Sequence, residues 1–148
     1  METQLVNRND PDYLRIAFKN VDGGGSITTG YGIRLVTTAA SFDGLSCVQS
    51  SAAAIKDFHG IVVRDTPING FGKATTYGYV ASVVISNVGT SITVTAGNTL
   101  IPGAVAGTFF SSITDAAMTT VLNKYVVAGQ TTTISALAWV SGYVRGTM

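Results

Sequence analysis

The sequence predicts an all-β protein: a jelly roll or a related antiparallel β-sandwich, preceded by an extended N-terminal arm. The chain has 148 residues, the usual length of one domain. It contains 20 Thr and 17 Val, whose branched side chains favour the pleated, half-buried surface of a sheet. Short alternating segments separated by Gly-rich turns are typical of such folds.

Residues 1–12 (METQLVNRNDPD) are mostly polar and include a proline. We interpret this segment as an arm that becomes ordered against a partner or a neighbouring subunit. Arg8, Asp10 and Asp12 are its candidate contact residues. Residues 13–148 are predicted to form a single β domain.

The first strand of that domain is predicted from Tyr13 to Lys19, where Leu14, Ile16 and Phe18 share one face. A glycine run at 22–26 ends it with a turn. Further strands are predicted over 31–37, 45–49, 60–64, 77–86, 91–96, 125–127 and 132–144. Within 112–124 the pattern favours neither helix nor loop.

Charge is distributed unevenly along the chain. Fourteen of the 17 charged residues precede Ala74, and the windows 74–114 and 125–144 have none. Ser, Thr, Asn, Gln and Gly interrupt both windows, so they indicate uncharged strands and not membrane spans. Because charged side chains normally keep sheet surfaces apart, their scarcity predicts a surface that contacts other protein.

Four aromatic residues in or beside these windows are candidate anchors for that contact: Tyr77, Tyr79, Trp139 and Tyr143. The alternative is that they fill the core. The pattern favours the core for Trp139, and for Tyr77 and Tyr79 it favours neither location.

Composition also argues against several classes of function. A net charge of +1 is too small for a phosphate-binding footprint, so no nucleic-acid partner is expected. One His and one Cys cannot supply the usual zinc ligands, and no cofactor is predicted. The single Cys47 and the polar N-terminus, which shows no secretory leader, indicate synthesis in a reducing cytosol.

One arrangement suggests catalysis. Asp57 and His59 stand two residues apart, and Ser50 or Ser51 precedes them. No nucleophile motif surrounds these serines. A hydrogen-bonded surface pair is therefore the favoured interpretation, and we expect a protein that is not an enzyme.

Several segments together resemble the small capsid cement or decoration proteins of tailed bacteriophages. They are 60–68 (GIVVRDTPI), 70–74 (GFGKA), 77–80 (YGYV), 99–107 (TLIPGAVAG) and 140–145 (VSGYVR). The similarity extends over about residues 30–146 and lies in the general residue pattern and the order of the turns. It implies an all-β protein, often a jelly roll, that binds the outside of an icosahedral head and clamps neighbouring major capsid subunits. The family has no catalytic residues to carry over.

The resemblance further implies a location on the outer capsid surface, after synthesis in the host cytoplasm. The expected partners are the major capsid protein and further copies of this chain, with a homodimer preferred to a homotrimer. Two other functions stay open. One is a carbohydrate- or receptor-binding module on the virion, since jelly rolls also serve as lectins. The other is a small hydrolase that uses Asp57 and His59.

Overall fold

The computed structural model describes residues 13–37, 45–51, 57–86, 92–103, 105–111 and 124–146. Within these ranges 63% of the residues lie in strands and none lies in an α-helix, which confirms the all-β prediction. Accordingly, no helix in the described part of the chain could cross a bilayer. The predicted arm and most of the ambiguous segment 112–124 lie outside the described residues.

The described ranges contain eleven strands. They are β1 (Tyr13–Asn20), β2 (Gly32–Leu35), β3 (Ser46–Gln49), β4 (Phe58–Val62), β5 (Phe71–Ser86), β6 (Ile92–Val94), β7 (Thr99–Pro102), β8 (Phe109–Ser111), β9 (Lys124–Ala128), β10 (Thr132–Ile134) and β11 (Leu137–Gly146).

Each predicted strand overlaps an observed one, with three larger differences. Strand β5 begins six residues before the predicted start, because pairing with β1 extends it through Gly72 and Lys73. The single strand predicted over 132–144 is divided into β10 and β11. Strands β7 and β8 were not predicted, since four-residue and three-residue segments beside Pro102 and Gly103 show too little alternation.

Nine strands form one mixed sheet in the order β1-β3-β2-β4-β5-β11-β9-β7-β8, and β6 pairs with β10 separately. The pairs β1–β3 and β5–β8 are parallel, and the other pairs are antiparallel. Strand β5 also pairs with β1 and with β8, so the sheet closes on this strand twice. The arrangement is compatible with a sandwich, while the finer jelly-roll assignment stays a prediction.

Two bulges divide β5 into segments that face different ways. Leu14 lies opposite Tyr77 and Arg15 opposite Thr75, which leaves Thr76 as an extra residue. The second bulge lies at residues 81–82, opposite one residue of β11. Because each extra residue reverses the alternation of side chains along the strand, even-numbered Val80 shares a face with odd-numbered Val83 and Ile85.

The smaller core packs on one face of β5, and the larger core packs on the other. Ala74 belongs to the smaller core, and Val80, Val83 and Ile85 belong to the larger one. The smaller core further contains Phe18, Ile27, Ile33, Cys47 and Val62; the larger one contains Phe58, Ile61, Val94, Leu100, Phe109, Val126, Ala128, Ile134, Val140 and Val144. Burial of these apolar side chains is the main favourable contribution to folding.

A buried asparagine connects the loop after β1 with the loop between β4 and β5, beside the smaller core. The amide of Asn20 donates to the carbonyl oxygens of Gly25 and Thr66, each at 2.9 Å, and its Oδ1 accepts from the backbone N–H of Asp22 at 2.8 Å. Its backbone carbonyl accepts from the N–H of Asn69 at 2.8 Å. Since these polar groups have partners, Asn20 can be fully buried without a large desolvation cost.

A surface carboxylate connects the same two loops at a second point. Asp65 Oδ1 accepts hydrogen bonds from the backbone N–H and the Oγ1 of Thr29, both at 2.7 Å. Both donors hold the pKa of Asp65 below its usual range because they stabilise the charged carboxylate, and the hydroxyl has the larger effect.

Replacement of Gly60 by Ala is expected to destabilise the fold by about 1–3 kcal/mol, since overpacking a tight site forces backbone shifts. A Cβ at Gly60 would lie 2.6 Å from the carbonyl oxygen of Thr75 on β5. Gly23→Ala is the matched control, because its Cβ would meet nothing within 4 Å. Urea denaturation of both variants measures the difference, and equal stability of the two would contradict the close packing of β4 on β5.

The Thr29–Asp65 contact predicts a small pH dependence of stability. Because the pKa of Asp65 is lower in the folded state, its stabilising effect is present above the unfolded-state pKa and disappears as the pH falls through the folded-state pKa. The advantage of the parent protein over Asp65→Asn should therefore shrink on acidification, as measured by urea denaturation. Thr29→Val should reduce this pH dependence, and Thr29→Ser, which keeps a hydroxyl, should retain it.

Candidate protein-binding face

The paired aromatic residues of β5 and β11 form the centre of an exposed sheet surface. Tyr79 lies directly opposite Tyr143, and residues in such a pair share one face of the sheet. Their rings are 5.4 Å apart between centroids and meet edge to face at 63°. This contact stabilises the strand pair and fixes both rings in position.

The surface continues onto the neighbouring strands. On β9, Val127 lies opposite Tyr143 and Tyr125 lies opposite Arg145; on β1, Leu14 lies opposite Tyr77. The period of two along β11 adds Leu137 and Trp139 to the same face. We call the following set the aromatic face: Leu14, Tyr77, Tyr79, Tyr125, Val127, Leu137, Trp139 and Tyr143.

Five members of the aromatic face are between 41% and 60% exposed: Leu14, Tyr77, Leu137, Trp139 and Tyr143. The core location that the sequence favoured for Trp139 is therefore wrong, because this side chain is 59% exposed. Its chain neighbours Ala138 and Val140 take the core side of β11 instead. A row of large apolar side chains left in water is typical of a surface that binds another protein.

Charge is scarce on this surface. In the described part of β11, the charged side chain beside the aromatic face is Arg145, which lies on the same side of the strand. It lines a shallow depression of about 220 Å³ together with Tyr77 and Tyr143. A partner that covers the aromatic face would thus have few charges to desolvate.

The structure brings together three of the predicted interface residues, Tyr77, Tyr79 and Tyr143, and places Trp139 farther along β11. Arg8, Asp10 and Asp12 lie outside the described residues. Sequence reasoning missed Leu14, Tyr125, Val127 and Leu137. The alternation of 137, 139, 143 and 145 is a usable signal, but the apolar residues between them obscure it.

One of the two serines of the hydrolase hypothesis is inaccessible. Ser50 is fully buried, and its Oγ has no hydrogen-bond partner in the described part of the structure. Asp57 is exposed, and His59 lies half-buried at a bulge between β2 and β4. Among residues 13–37, 45–51, 57–86 and the later described ranges, no cluster of three potential metal ligands occurs. The geometry offers this hypothesis no support.

Trp139 is the single tryptophan of the chain, so its fluorescence reports directly on the aromatic face. We expect the free protein to show red-shifted emission and strong quenching by iodide, because the indole is exposed to solvent. The unfolded protein in urea provides the reference for full exposure. Blue-shifted emission that iodide does not quench, independent of protein concentration, would instead place the indole in the core.

Comparison with protein-family models and with curated proteins gives no match for this chain.

Proposed function

We propose that the protein is a structural capsid cement or decoration protein, without enzymatic activity. It binds the outside of an icosahedral phage head and stabilises contacts between major capsid subunits. The observation that carries the proposal is the aromatic face; the sequence resemblance supplies the identity of the partner.

The chemistry of the aromatic face suits a protein partner. Tyr and Trp are enriched among the residues that dominate binding energy at interfaces, because they bury a large apolar area and still offer a hydrogen-bonding group. Tyr77 and Trp139 each leave more than half of their surface in water. They stand on paired strands, so binding requires little further ordering of the backbone.

The size of the aromatic face favours attachment at many sites. Four strands at about 4.8 Å spacing and eight residue steps of about 3.4 Å give a surface of roughly 500 Å². A stable interface of standard size needs about 800 Å² on each partner. A repetitive shell offers many equivalent copies of such a contact, and together they make attachment firm.

The carbohydrate-binding alternative has less support. Sugar sites combine an aromatic platform with polar side chains that bind hydroxyl groups, and Asp or Asn beside the tyrosines would favour such a site. The depression at Tyr77 is lined by Gly78, Tyr143, Val144 and Arg145, with neither Asp nor Asn among these residues.

Two parts of the proposal rest on the sequence alone. The homodimer and the contacts of Arg8, Asp10 and Asp12 stay predictions. A homodimer is compatible with the proposed attachment if its own interface leaves the aromatic face exposed. The fluorescence of Trp139 in the free protein tests this exposure.

The proposal predicts that purified protein binds undecorated phage heads and that the double variant Tyr77→Ser/Trp139→Ser loses this binding. Loss of two anchor residues worth about 2 kcal/mol or more should weaken attachment by at least roughly 30-fold. Co-sedimentation with heads measures the occupancy, and cryo-electron microscopy identifies the symmetry axis that is occupied.

Val105→Ser is the matched control, since Val105 is 45% exposed but lies in the turn before β8, outside the aromatic face. It should bind heads as the parent protein does. Full occupancy by the Tyr77→Ser/Trp139→Ser variant would show that the aromatic face is not the binding surface. Absence of binding by the parent protein to any head would show that the capsid is not the partner.

A further inference from the structure

A second surface, on the face of β5 opposite Tyr77 and Tyr79, carries several positively charged side chains. Before the first bulge of β5, Lys73 lies opposite Ala17 and Phe71 opposite Lys19 on this face. Arg15 follows on β1, opposite the buried Thr75. Arg64, in the segment after β4, lies beside Lys73 at the rim of the same cleft. Four cations therefore share one side of the sheet.

The cleft between β1 and the loop after β4 has a volume of about 610 Å³. Ala17, Val63 and Pro67 contribute apolar walls, and Phe71 at one end is 72% exposed. We call this cleft, with its flanking residues Arg15 and Lys19, the cationic cleft.

The charges of the cationic cleft are poorly balanced. Its four cations and the single carboxylate of Asp65 sum to +3, so the rest of the chain, with a total of +1, carries −2. Within the described ranges none of the four cations forms an ion pair, and Arg15 lies 4.2 Å from the centroid of the Tyr13 ring. Among the described residues, the cleft is thus a positive region that Asp65 balances only in part.

We propose that the cationic cleft binds an acidic, extended polypeptide segment of a partner protein. Lys73 lies opposite Ala17, midway between Arg15 and Lys19, so these three charges follow one another at the two-residue repeat of a strand, about 6.8 Å. An extended segment with carboxylates at alternate residues has the same repeat. Each carboxylate then meets a separate cation in a charge-assisted hydrogen bond.

Two further features favour a polypeptide over a nucleic acid. The exposed ring of Phe71 can pack against an apolar side chain of the segment. Asp65 can accept a backbone N–H of a peptide, a donor that a sugar-phosphate backbone lacks: both bonds from Thr29 end on Oδ1, and Oδ2 has no partner among the described hydrogen bonds.

This inference goes beyond the proposed capsid attachment, because it uses the opposite face of β5 from Tyr77 and Tyr79. A protein with binding surfaces on two sides can hold two partners at once. Acidic segments of a capsid subunit, or of any other protein, satisfy the same chemistry.

The test uses the full chain and two fluorescein-labelled peptides of eleven residues, one alternating Asp and Ser and the other alternating Asn and Ser. Fluorescence anisotropy at low ionic strength should show saturable binding of the Asp peptide only, and added salt should weaken it. Lys73→Gln and Arg64→Gln should each reduce the affinity by about 2- to 5-fold, and the double variant by roughly 10-fold.

Thr93→Glu is the control for net charge, because it lowers the charge by one at an exposed residue of β6 that does not line the cleft. It should leave the affinity unchanged. Three results would overturn the inference: no saturable binding of the Asp peptide, equal weakening by Thr93→Glu, or tighter binding of single-stranded DNA of matched length. The Tyr77→Ser/Trp139→Ser variant should still bind the Asp peptide, so failure of this inference and failure of the capsid proposal are distinguishable.

Discussion

Strand β5 runs through both halves of the molecule, and its backbone pairing is the constraint on which the rest of the fold depends. It pairs with β1 and β8 along one edge and with β4 and β11 along the other. Four strands thus form backbone hydrogen bonds with one strand of sixteen residues. Because β4 and β11 lie far apart in sequence, correct pairing on β5 brings distant parts of the chain together.

The bulges of β5 determine where its side chains point. Without the extra residues at Thr76 and at 81–82, all odd-numbered side chains would share one face. With them, even-numbered Val80 joins odd-numbered Val83 and Ile85 in the larger core, on the face opposite Ala74. The same reversal sets Lys73 on one outer surface and Tyr79 on the other. The aromatic face and the cationic cleft are therefore consequences of one strand geometry.

Much of the secondary structure could be predicted from local patterns. Alternation identified β1 through Leu14, Ile16 and Phe18, and glycine-rich turns separated most of the strands. The location of Trp139 could not be predicted in this way. In the run Leu137-Ala138-Trp139-Val140 every residue is apolar, so the pattern does not reveal which side meets water. The register of β11 on β5 decides it: Val140 lies opposite Val83 in the larger core, so Trp139 points to the other face.

The sequence by itself determined that the protein is all-β, since β-branched residues and short alternating runs are local properties of the chain. It also determined that the second half carries few charges. Only the tertiary structure decided which residues form the aromatic face and which cations share a cleft. The physical reason is that side-chain direction in a sheet depends on register and bulges, and both depend on partners such as Tyr143 that lie more than sixty residues from Tyr79.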